Sequence, residues 1–197
     1  MSIGKQAKIL TTRQQDIVLK HIDTTRHSTR NRVIFLLSFK AGLRAKEIAN
    51  LTWSMVCDSN GDVSDTLNLP NKAAKGHYSG RIIPLHKDLK RALSDLKANI
   101  VVDDLTTESV ITSERNRHCS AQTIVNFFQD LYRTIGFEGC SSHSGRRTFI
   151  TNAAKFIGQT GGTLNDVKVL AGHSSLSTTQ RYIEYNTDAQ KKIIAMI

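Results

Sequence analysis

Apolar residues recur three or four positions apart over most of the chain, which is the spacing of one face of an α-helix. In the first half, this spacing predicts a helix capped by Thr11 or Thr12, then helices over 28–41, 43–51 and 87–98. In the second half, helices are predicted over 120–135, 144–157, 163–171, 177–184 and 187–197. The chain is therefore expected to be rich in helix.

A shorter alternation of apolar and polar residues replaces the helical spacing between Trp53 and Leu85, and it is typical of β-strands. Short strands are predicted at 55–56, 66–69 and 81–85, with a further candidate at 109–112. The expected fold class is α+β: mainly α-helical with a small antiparallel β-sheet. Residues 1–10 are expected to form a short basic N-terminal tail, and residues 11–197 a single domain.

The net charge narrows the range of functions, because 27 Lys and Arg against 17 Asp and Glu leave a formal charge of +10. Nucleic acid is the usual partner of so basic a chain, since Lys and Arg release the counterions condensed on its phosphates. An acidic membrane is the rival partner. However, no apolar run nears the ~20 residues that span a bilayer, and no signal-peptide pattern opens the chain.

The cysteines point to a reducing compartment. Cys57, Cys119 and Cys140 are odd in number, far apart and outside any C-x-x-C pattern. A disulfide framework and a zinc site are therefore not expected, and a cytoplasmic setting is.

Arginine and histidine side chains that can hold a phosphate occur in two stretches. His143 and Arg146 lie three residues apart at a predicted helix start and so point to one side, whereas Arg147 faces elsewhere. Arg44 also stands at a predicted helix start, where free N–H groups favour an anion. Two guanidinium forks, Arg44 and Arg146, can grip one phosphodiester and stabilise its five-coordinate transition state without a metal.

A nucleophile and a proton donor would complete such a phosphoryl-transfer site. Tyr182 follows His173 by nine residues, a spacing that can bring both into one pocket. Attack by the phenol would form a phosphotyrosine and release a deoxyribose hydroxyl, which needs a proton. A lysine on the predicted hairpin can donate it, and a basic hairpin tip also suits a DNA groove. The basic residues of this hairpin are Lys72, Lys75, His77 and Arg81.

Each of these residues also has a plain structural interpretation. A histidine that follows a helix-ending glycine, as His173 does, often interacts with the last helix carbonyls. Tyr132, Tyr182 and Tyr185 suit half-buried packing, and a lone arginine at a helix start is usually an ion-pair residue. The order and spacing of the whole set favour the catalytic interpretation.

Three motifs resemble those of the tyrosine recombinase (phage integrase) family. They are Ala-Gly-Leu-Arg44-Ala-Lys-Glu-Ile, His143-Ser-Gly-Arg146-Arg-Thr and Leu-Ala-Gly-His173-Ser-Ser-Leu-Ser-Thr-Thr-Gln-Arg-Tyr182. Their order and the nine-residue step from histidine to tyrosine are also those of the family. The resemblance covers about residues 11–185 and implies the DNA breaking-rejoining fold of the family's catalytic domain.

The resemblance implies a role for each candidate. Arg44 and Arg146 resemble the arginines that hold the scissile phosphate. His143 and His173 resemble the pair that assists proton movement and contacts the phosphate. Tyr182 resembles the nucleophile that forms a 3′-phosphotyrosyl link, and Tyr185 is the alternative.

The family's catalytic lysine lies on a β-hairpin, ahead of a strand that Arg81-Ile-Ile-Pro84-Leu resembles. This position favours Lys75 and keeps Lys72 as the alternative. Further DNA contacts are expected from a set of basic residues: Lys72, His77, Arg81 and Arg147.

The implied activity is site-specific recombination of double-stranded DNA, of the integrase or invertase type, with no metal or other cofactor. Two alternatives stay open: a DNA-binding regulator of the same fold that does not cleave, and a type IB topoisomerase-like activity. By analogy with the family, the C-terminal helix is expected to dock onto a neighbouring protomer and hold a homo-tetramer on DNA, and packing of that helix onto its own domain is the alternative. Accessory DNA-bending proteins are also expected. The apolar pattern and the cysteines predict no membrane contact and a cytoplasmic, nucleoid-associated location.

The length of the chain leaves one further question open. Members of the family usually carry an N-terminal helical domain that completes a clamp around DNA, whereas only about ten residues precede the first helix here. Both a minimal recombinase and the catalytic fragment of a longer one fit that observation.

Overall fold

The computed structural model describes residues 6–71, 73, 80–113, 118–182 and 194–195. Its main helices are α1 Thr12–Asp23, α2 Ser28–Lys40, α3 Ala45–Ala49, α4 Lys87–Ala98, α5 Ala121–Thr134, α6 Ser144–Phe156, α7 Leu164–Ala171 and α8 Leu176–Gln180. Short 3-10 helices occupy Trp53–Met55 and Ile157–Thr160. Within the described ranges, no helix is both long enough and apolar enough to cross a bilayer.

The sheet consists of two antiparallel strands in the described part of the chain, β1 Thr66–Leu69 and β2 Arg81–Pro84. Leu67 pairs with Ile83, and Leu69 pairs with Arg81. Alternate side chains of each strand are buried, so one face of the sheet packs on the core. Arg81 occupies an inward-facing position, which places a charged group where the alternation calls for an apolar one.

The largest apolar cluster, which we call the main core, surrounds α2. Every side chain of α2 from Val33 to Phe39 is buried, because this stretch of the helix is apolar on nearly all sides and must be covered. α1, α4 and α6 pack against it, and α5 packs on α3. The main core also takes in both strands and Trp53.

A second and much smaller apolar cluster lies between α6 and α7. It consists of Ile150, Val167 and Ala171, all fully buried, and we call it the C-terminal cluster. The partly buried ring of Tyr182 packs against it. The C-terminal cluster therefore holds the segment that carries the predicted nucleophile.

Most of the predicted helices are confirmed, and α4 has the predicted bounds. Gly42 and Gly172 take left-handed φ angles of 64° and 59° as helix-ending glycines. The strand predicted at 55–56 is wrong, because a 3-10 helix occupies Trp53–Met55. The backbone there bonds to the 105–108 loop instead: the N–H of Trp53 donates to the carbonyl of Glu108 at 3.1 Å.

The candidate strand at 109–112 is reduced to isolated bridges, Thr52 with Ser109 and Thr112 with His118. At the other end of the chain, α8 is shorter than the predicted 177–184 helix and ends at Gln180. The helix predicted over 187–197 lies outside the described residues, apart from 194–195.

Residues 6–10, which were predicted to belong to a short basic N-terminal tail, pack on the domain. Leu10 is buried, and its N–H donates to Thr148 Oγ1 at 2.8 Å. The N–H of Lys8 donates to the carbonyl of Gly139 at 3.0 Å. A buried leucine and bonded backbone groups explain why this stretch is held, although its composition is that of a solvated tail.

Candidate active site at a cluster of arginines

A cleft of about 500 Å³ opens where the first residues of α3 and α6 meet the ends of α7 and α8. Five of the six predicted catalytic residues line it: Arg44, His143, Arg146, His173 and Tyr182. Its remaining wall is formed by Gln6, Ala7, Ser141, Arg147, Thr178 and Arg181. Three motifs that are far apart in the sequence therefore meet in one cleft.

Three arginines from distant parts of the chain converge on the C-terminal end of α7, each donating to one of three consecutive carbonyls. The pairs are Arg81 Nε to Leu170 at 2.9 Å, Arg146 Nη2 to Ala171, and Arg44 Nη2 to Gly172 at 3.3 Å. The last carbonyls of a helix lack intrahelical partners and carry partial negative charge. They consequently orient guanidinium groups around the turn that precedes His173.

Glu47 supplies the carboxylate of this cluster. Its Oε1 accepts from Arg44 Nη1 at 2.8 Å, and its Oε2 accepts from Arg81 Nη2 at 3.0 Å. Glu47 is fully buried, and burial alone would raise its pKa, but the bonds and charges of Arg81 and Arg44 outweigh that effect and lower it. Glu47 is therefore ionised at neutral pH.

The two predicted phosphate-binding arginines differ in exposure. The side chain of Arg44 is 24% exposed, whereas Arg146 is 4% exposed and also donates to the carbonyl of Gly42. Burial, and then the charge of Arg44, lower the pKa of Arg146 to about 9, so it stays charged at neutral pH. A guanidinium has five N–H groups. Those not engaged by the two carbonyls can face an anion in the cleft.

His173 is held in its neutral form. Burial, followed by the charges of Arg146, Arg44 and Arg81, lowers its pKa to about 4. Its Nδ1 lies 2.9 Å from the hydroxyl oxygen of Thr179, which fixes the ring. The other ring nitrogen is then available for a proton or a hydrogen bond in the cleft.

Tyr182 lies just after α8 and beside His173. The two rings stack, with centroids 5.5 Å apart and planes 26° apart. The N–H of Tyr182 donates to the backbone carbonyl of Thr179 at 3.0 Å. Thr179 thus contacts both residues, through its side chain on His173 and through its backbone on Tyr182.

His143 stands directly before α6 and lines the cleft. α6 begins at Ser144, whose hydroxyl accepts from the N–H of Ser141 at 3.0 Å. Arg147, predicted to face elsewhere, lines the same cleft and donates to the carbonyl of Ala7 at 2.7 Å.

Arg81, which was predicted to contact DNA, is buried in this structure. Its side chain is 1% exposed and forms an ion pair with Glu47, so the guanidinium faces the protein interior. Its place on β2 explains the outcome, because alternation along the strand turns this residue inwards. Lys72, Lys75, His77 and Tyr185 lie outside the described residues.

Sequence reasoning missed two residues of the site. The signal for Glu47 was its position three residues after Arg44 at a helix start, where a carboxylate reaches back to the first N–H. That bond forms, from the N–H of Arg44 to Glu47 Oε2 at 2.9 Å. Thr179 carried no comparable signal, since its contact with His173 depends on how α7 and α8 pack.

Solved structures of tyrosine recombinases share the fold of this chain. The crystal structure of a XerA recombinase superposes with a TM-score of 0.70 at 22% identity, covering 100% of this chain and 65% of that one. A lambda integrase dimer bound to a core site gives a TM-score of 0.70 at 19% identity, covering 93% and 49%. At these identities, the likeness concerns the fold.

Sequence comparison assigns the family. The model of the phage integrase family matches residues 8–188, and the chain belongs to this family. The tyrosine recombinase XerA of Thermococcus onnurineus (strain NA1) is 30% identical over 192 residues, which cover 94% of this chain and 62% of that protein. XerC of Lactobacillus leichmannii is 27% identical over 156 residues, or 79% and 50%. The chain thus spans about half to two thirds of these relatives' length.

Proposed function

We propose that this chain is a site-specific DNA recombinase, which cuts one strand of double-stranded DNA through a 3′-phosphotyrosyl intermediate on Tyr182 and rejoins it to another. One observation carries the proposal: the guanidiniums of Arg44 and Arg146 line the same cleft as the ring of Tyr182. A protein that only binds DNA has no use for a tyrosine at that place.

The charge of the cluster suits the transition state better than the substrate. Three guanidiniums (Arg44, Arg81 and Arg146) and the carboxylate of Glu47 leave two formal positive charges, and His173 is neutral. A phosphodiester carries one negative charge, whereas its five-coordinate transition state carries two. Groups already oriented towards the additional charge lower the barrier rather than only tightening binding.

In the proposed cleavage step, the phenolic oxygen of Tyr182 attacks the phosphorus, and the bond from phosphorus to the 5′ oxygen breaks. The neutral ring of His173, stacked on Tyr182, takes up the phenolic proton. The leaving 5′ oxygen receives a proton and departs as a hydroxyl. Rejoining is the reverse attack by a 5′ hydroxyl, which restores the phosphodiester and frees the tyrosine without ATP.

We assign the proton for the leaving 5′ oxygen to Lys75, with Lys72 as the alternative, on the strength of the family resemblance. A substrate whose 5′ bridging oxygen is replaced by sulfur tests this assignment, because a thiolate leaves without a proton. Lys75→Ala is expected to be slow on the oxygen substrate and close to wild type on the sulfur substrate. The same rescue in Lys72→Ala, and not in Lys75→Ala, would transfer the role to Lys72.

Assembly on DNA is part of the proposal. A homo-tetramer, held by the segment over 187–197, would bring four cleavage sites together so that strands can be exchanged. Accessory DNA-bending proteins are also proposed. Sedimentation of the chain with and without its DNA site tests the assembly, and a complex that stays at one protomer per site during strand exchange would contradict it.

The test of the proposed function is trapping of the covalent intermediate. The DNA site is first isolated by selecting duplexes that the wild-type chain binds from a randomised library. A duplex carrying that site and a nick next to the cleavage position loses a short fragment after attack, so the adduct accumulates. Wild type is expected to form the adduct and Tyr182→Phe is expected to form none.

Tyr132→Phe is the matched control, since Tyr132 is buried in the main core. It loses the same hydroxyl and is expected to form the adduct normally. No adduct from wild type on a verified site would contradict the proposal and favour a DNA-binding regulator. Relaxation of supercoiled DNA by a monomer at unrelated sequences would favour a topoisomerase.

A further inference from the structure

We propose that Arg81 is a positioning residue of the active site: from the first position of β2, it orients Arg44 through Glu47 and holds the turn that carries His173. This inference rests on the proposed function for its catalytic consequence. The geometry that it describes stands on contacts within the chain alone.

Arg81 joins three elements. From β2, its Nη1 and Nη2 donate to the two carboxylate oxygens of Glu47 on α3, at 3.2 and 3.0 Å. Its Nε donates to the carbonyl of Leu170 near the end of α7, at 2.9 Å. A guanidinium is suited to this task, because its planar fork bonds a carboxylate with two N–H groups and still has Nε for a carbonyl.

Arg44 receives its orientation through the same carboxylate. Glu47 Oε1 accepts from both Arg44 Nη1 and Arg81 Nη1, so the two guanidiniums share one oxygen. If Arg81 is removed, Glu47 loses two of its donors and a charge in a fully buried place. The carboxylate is then free to rotate, and Arg44 with it, which moves a guanidinium assigned to the scissile phosphate.

The turn before His173 is fitted to Arg81. A Cβ at Gly172 would come within 2.6 Å of Arg81 Nη1, and φ at Gly172 is +59°. Only glycine satisfies both the left-handed backbone and the close approach. Arg81 therefore packs directly under the residue that precedes His173, so β2, Arg44 and the histidine are held as one unit.

Arg81 does not contact DNA in this account, because its side chain is 1% exposed. This separates it from Arg44 and Arg146, and the difference can be measured. Arg81→Gln should slow adduct formation at saturating DNA by about 100-fold, the size expected for a misplacement of about 1 Å. The dissociation constant of the Arg81→Gln variant for the selected DNA site should stay within about threefold of the wild-type value.

Arg32→Gln is the matched control, since Arg32 pairs with Asp23 on the surface, away from the cleft. It removes the same charge and is expected to leave the adduct rate unchanged.

A double-mutant cycle of Arg81→Gln and Glu47→Gln distinguishes a positioning role from a mere loss of stability. If Arg81 acts through Glu47, the double variant should be no slower than the slower single one. Additive effects would overturn the proposal.

Arg81→Lys covers the case in which Arg81→Gln does not fold. It keeps the charge but cannot bond Glu47 and Leu170 together, so an intermediate rate is expected. A rate equal to wild type in a folded Arg81→Lys or Arg81→Gln variant would overturn the inference.

A crystal structure of the free Arg81→Gln or Arg81→Lys chain separates this inference from the proposed function. We expect the guanidinium of Arg44 to be displaced by about 1 Å or more. An unmoved Arg44 would overturn the inference, whatever the adduct assay gives. A displaced Arg44 in a chain whose wild type forms no adduct would support the positioning role and contradict the recombinase.

Discussion

The main core and the C-terminal cluster hold different halves of the candidate active site. Arg44, Glu47 and Arg81 belong to elements packed on the main core, which includes most of the buried apolar side chains described. Tyr182 packs on the C-terminal cluster, which has three fully buried residues. Arg44, a proposed phosphate-binding residue, is thus anchored in a far larger core than Tyr182, the proposed nucleophile.

The difference indicates which half of the site can move. Segments with few buried apolar contacts open at low free energy, while those in a large core open only with global unfolding. The segment of Tyr182 is therefore the one expected to shift during strand exchange, against a fixed set of guanidiniums. Arg146 links the two halves, because it donates to Gly42 beside the main core and to Ala171 in the C-terminal cluster.

Arg146→Lys is expected to have the largest effect on activity, because it breaks the link between the two halves. An ammonium lacks the planar fork, so it cannot reach both carbonyls and a phosphate at once. Adduct formation at saturating DNA should fall by about 100- to 1,000-fold, the range for losing one donor to a developing charge. Arg133→Lys, at an exposed ion pair with Asp130, is the control and should react normally. A loss below about tenfold would contradict the linking role.

The stability of the chain should depend on pH through His173. Its pKa is about 4 in the folded chain, against an ordinary value of ~6.5. Since the unfolded chain binds the proton first, this contribution is fully present above about pH 6.5 and is lost as pH falls towards about 4. It amounts to at most about 3 kcal/mol.

Denaturant unfolding of wild type and His173→Asn across that pH range measures the effect. The free energy of unfolding of wild type should fall more steeply with acid than that of His173→Asn. Parallel curves would mean that His173 is not held neutral by its burial and by the arginines around it.

Two glycine substitutions test how closely Arg81 is fitted to the turn that precedes His173. Gly172 and Gly161 both have left-handed φ angles, +59° and +72°, but a Cβ at Gly161 would meet nothing within 4 Å. Both changes to alanine should cost about 1–2 kcal/mol for the backbone. Gly172→Ala should cost a further 1–3 kcal/mol or so, because Arg81 must give way. Equal losses in thermal or denaturant unfolding would contradict the close fit.

The smallest effects are expected from matching isoleucine-to-valine changes in the main core and in the C-terminal cluster. Ile22 in α1 and Ile150 in α6 are both fully buried, one in the main core and one in the C-terminal cluster. Changing either to valine should lower the free energy of unfolding by about 0.5–1.5 kcal/mol. Only Ile150→Val should also slow adduct formation, since it loosens the packing beneath Tyr182. Equal rates in the two variants would remove the functional distinction between the cores.

Much of the site could be predicted from the sequence because its groups stand at helix ends, which leave recognisable patterns. Arg44 before α3, His143 before α6 and His173 after Gly172 are examples. The role of Arg81 could not be predicted, because a basic residue beside a hairpin is expected to be exposed. Only the structure shows that Arg81 lies on the inward face of β2. Its bonds to Glu47 and Leu170 join residues 34 and 89 positions apart, and no local pattern encodes such contacts.

The fold shows the same contrast between local signals, which the sequence reveals, and contacts between distant residues, which it does not. Ser120 and Thr163 start two of the predicted helices, and they are the N-cap residues of α5 and α7, because the capping signal is local. The strand predicted at 55–56 failed because pairing needs a partner at the right place, and the backbone of Trp53 found the 105–108 loop instead.

In the proposed reaction, the phenolic oxygen of Tyr182 attacks a phosphate held by the guanidiniums of Arg44 and Arg146. The most direct test is to digest the trapped DNA adduct with trypsin and nuclease and to locate the remaining nucleotide by fragmentation mass spectrometry. Cleavage after Arg181 gives a peptide from Tyr182 to Lys191 that contains both candidate tyrosines. We predict that the nucleotide lies on Tyr182. A nucleotide on Tyr185, or on any residue outside this peptide, would contradict the account.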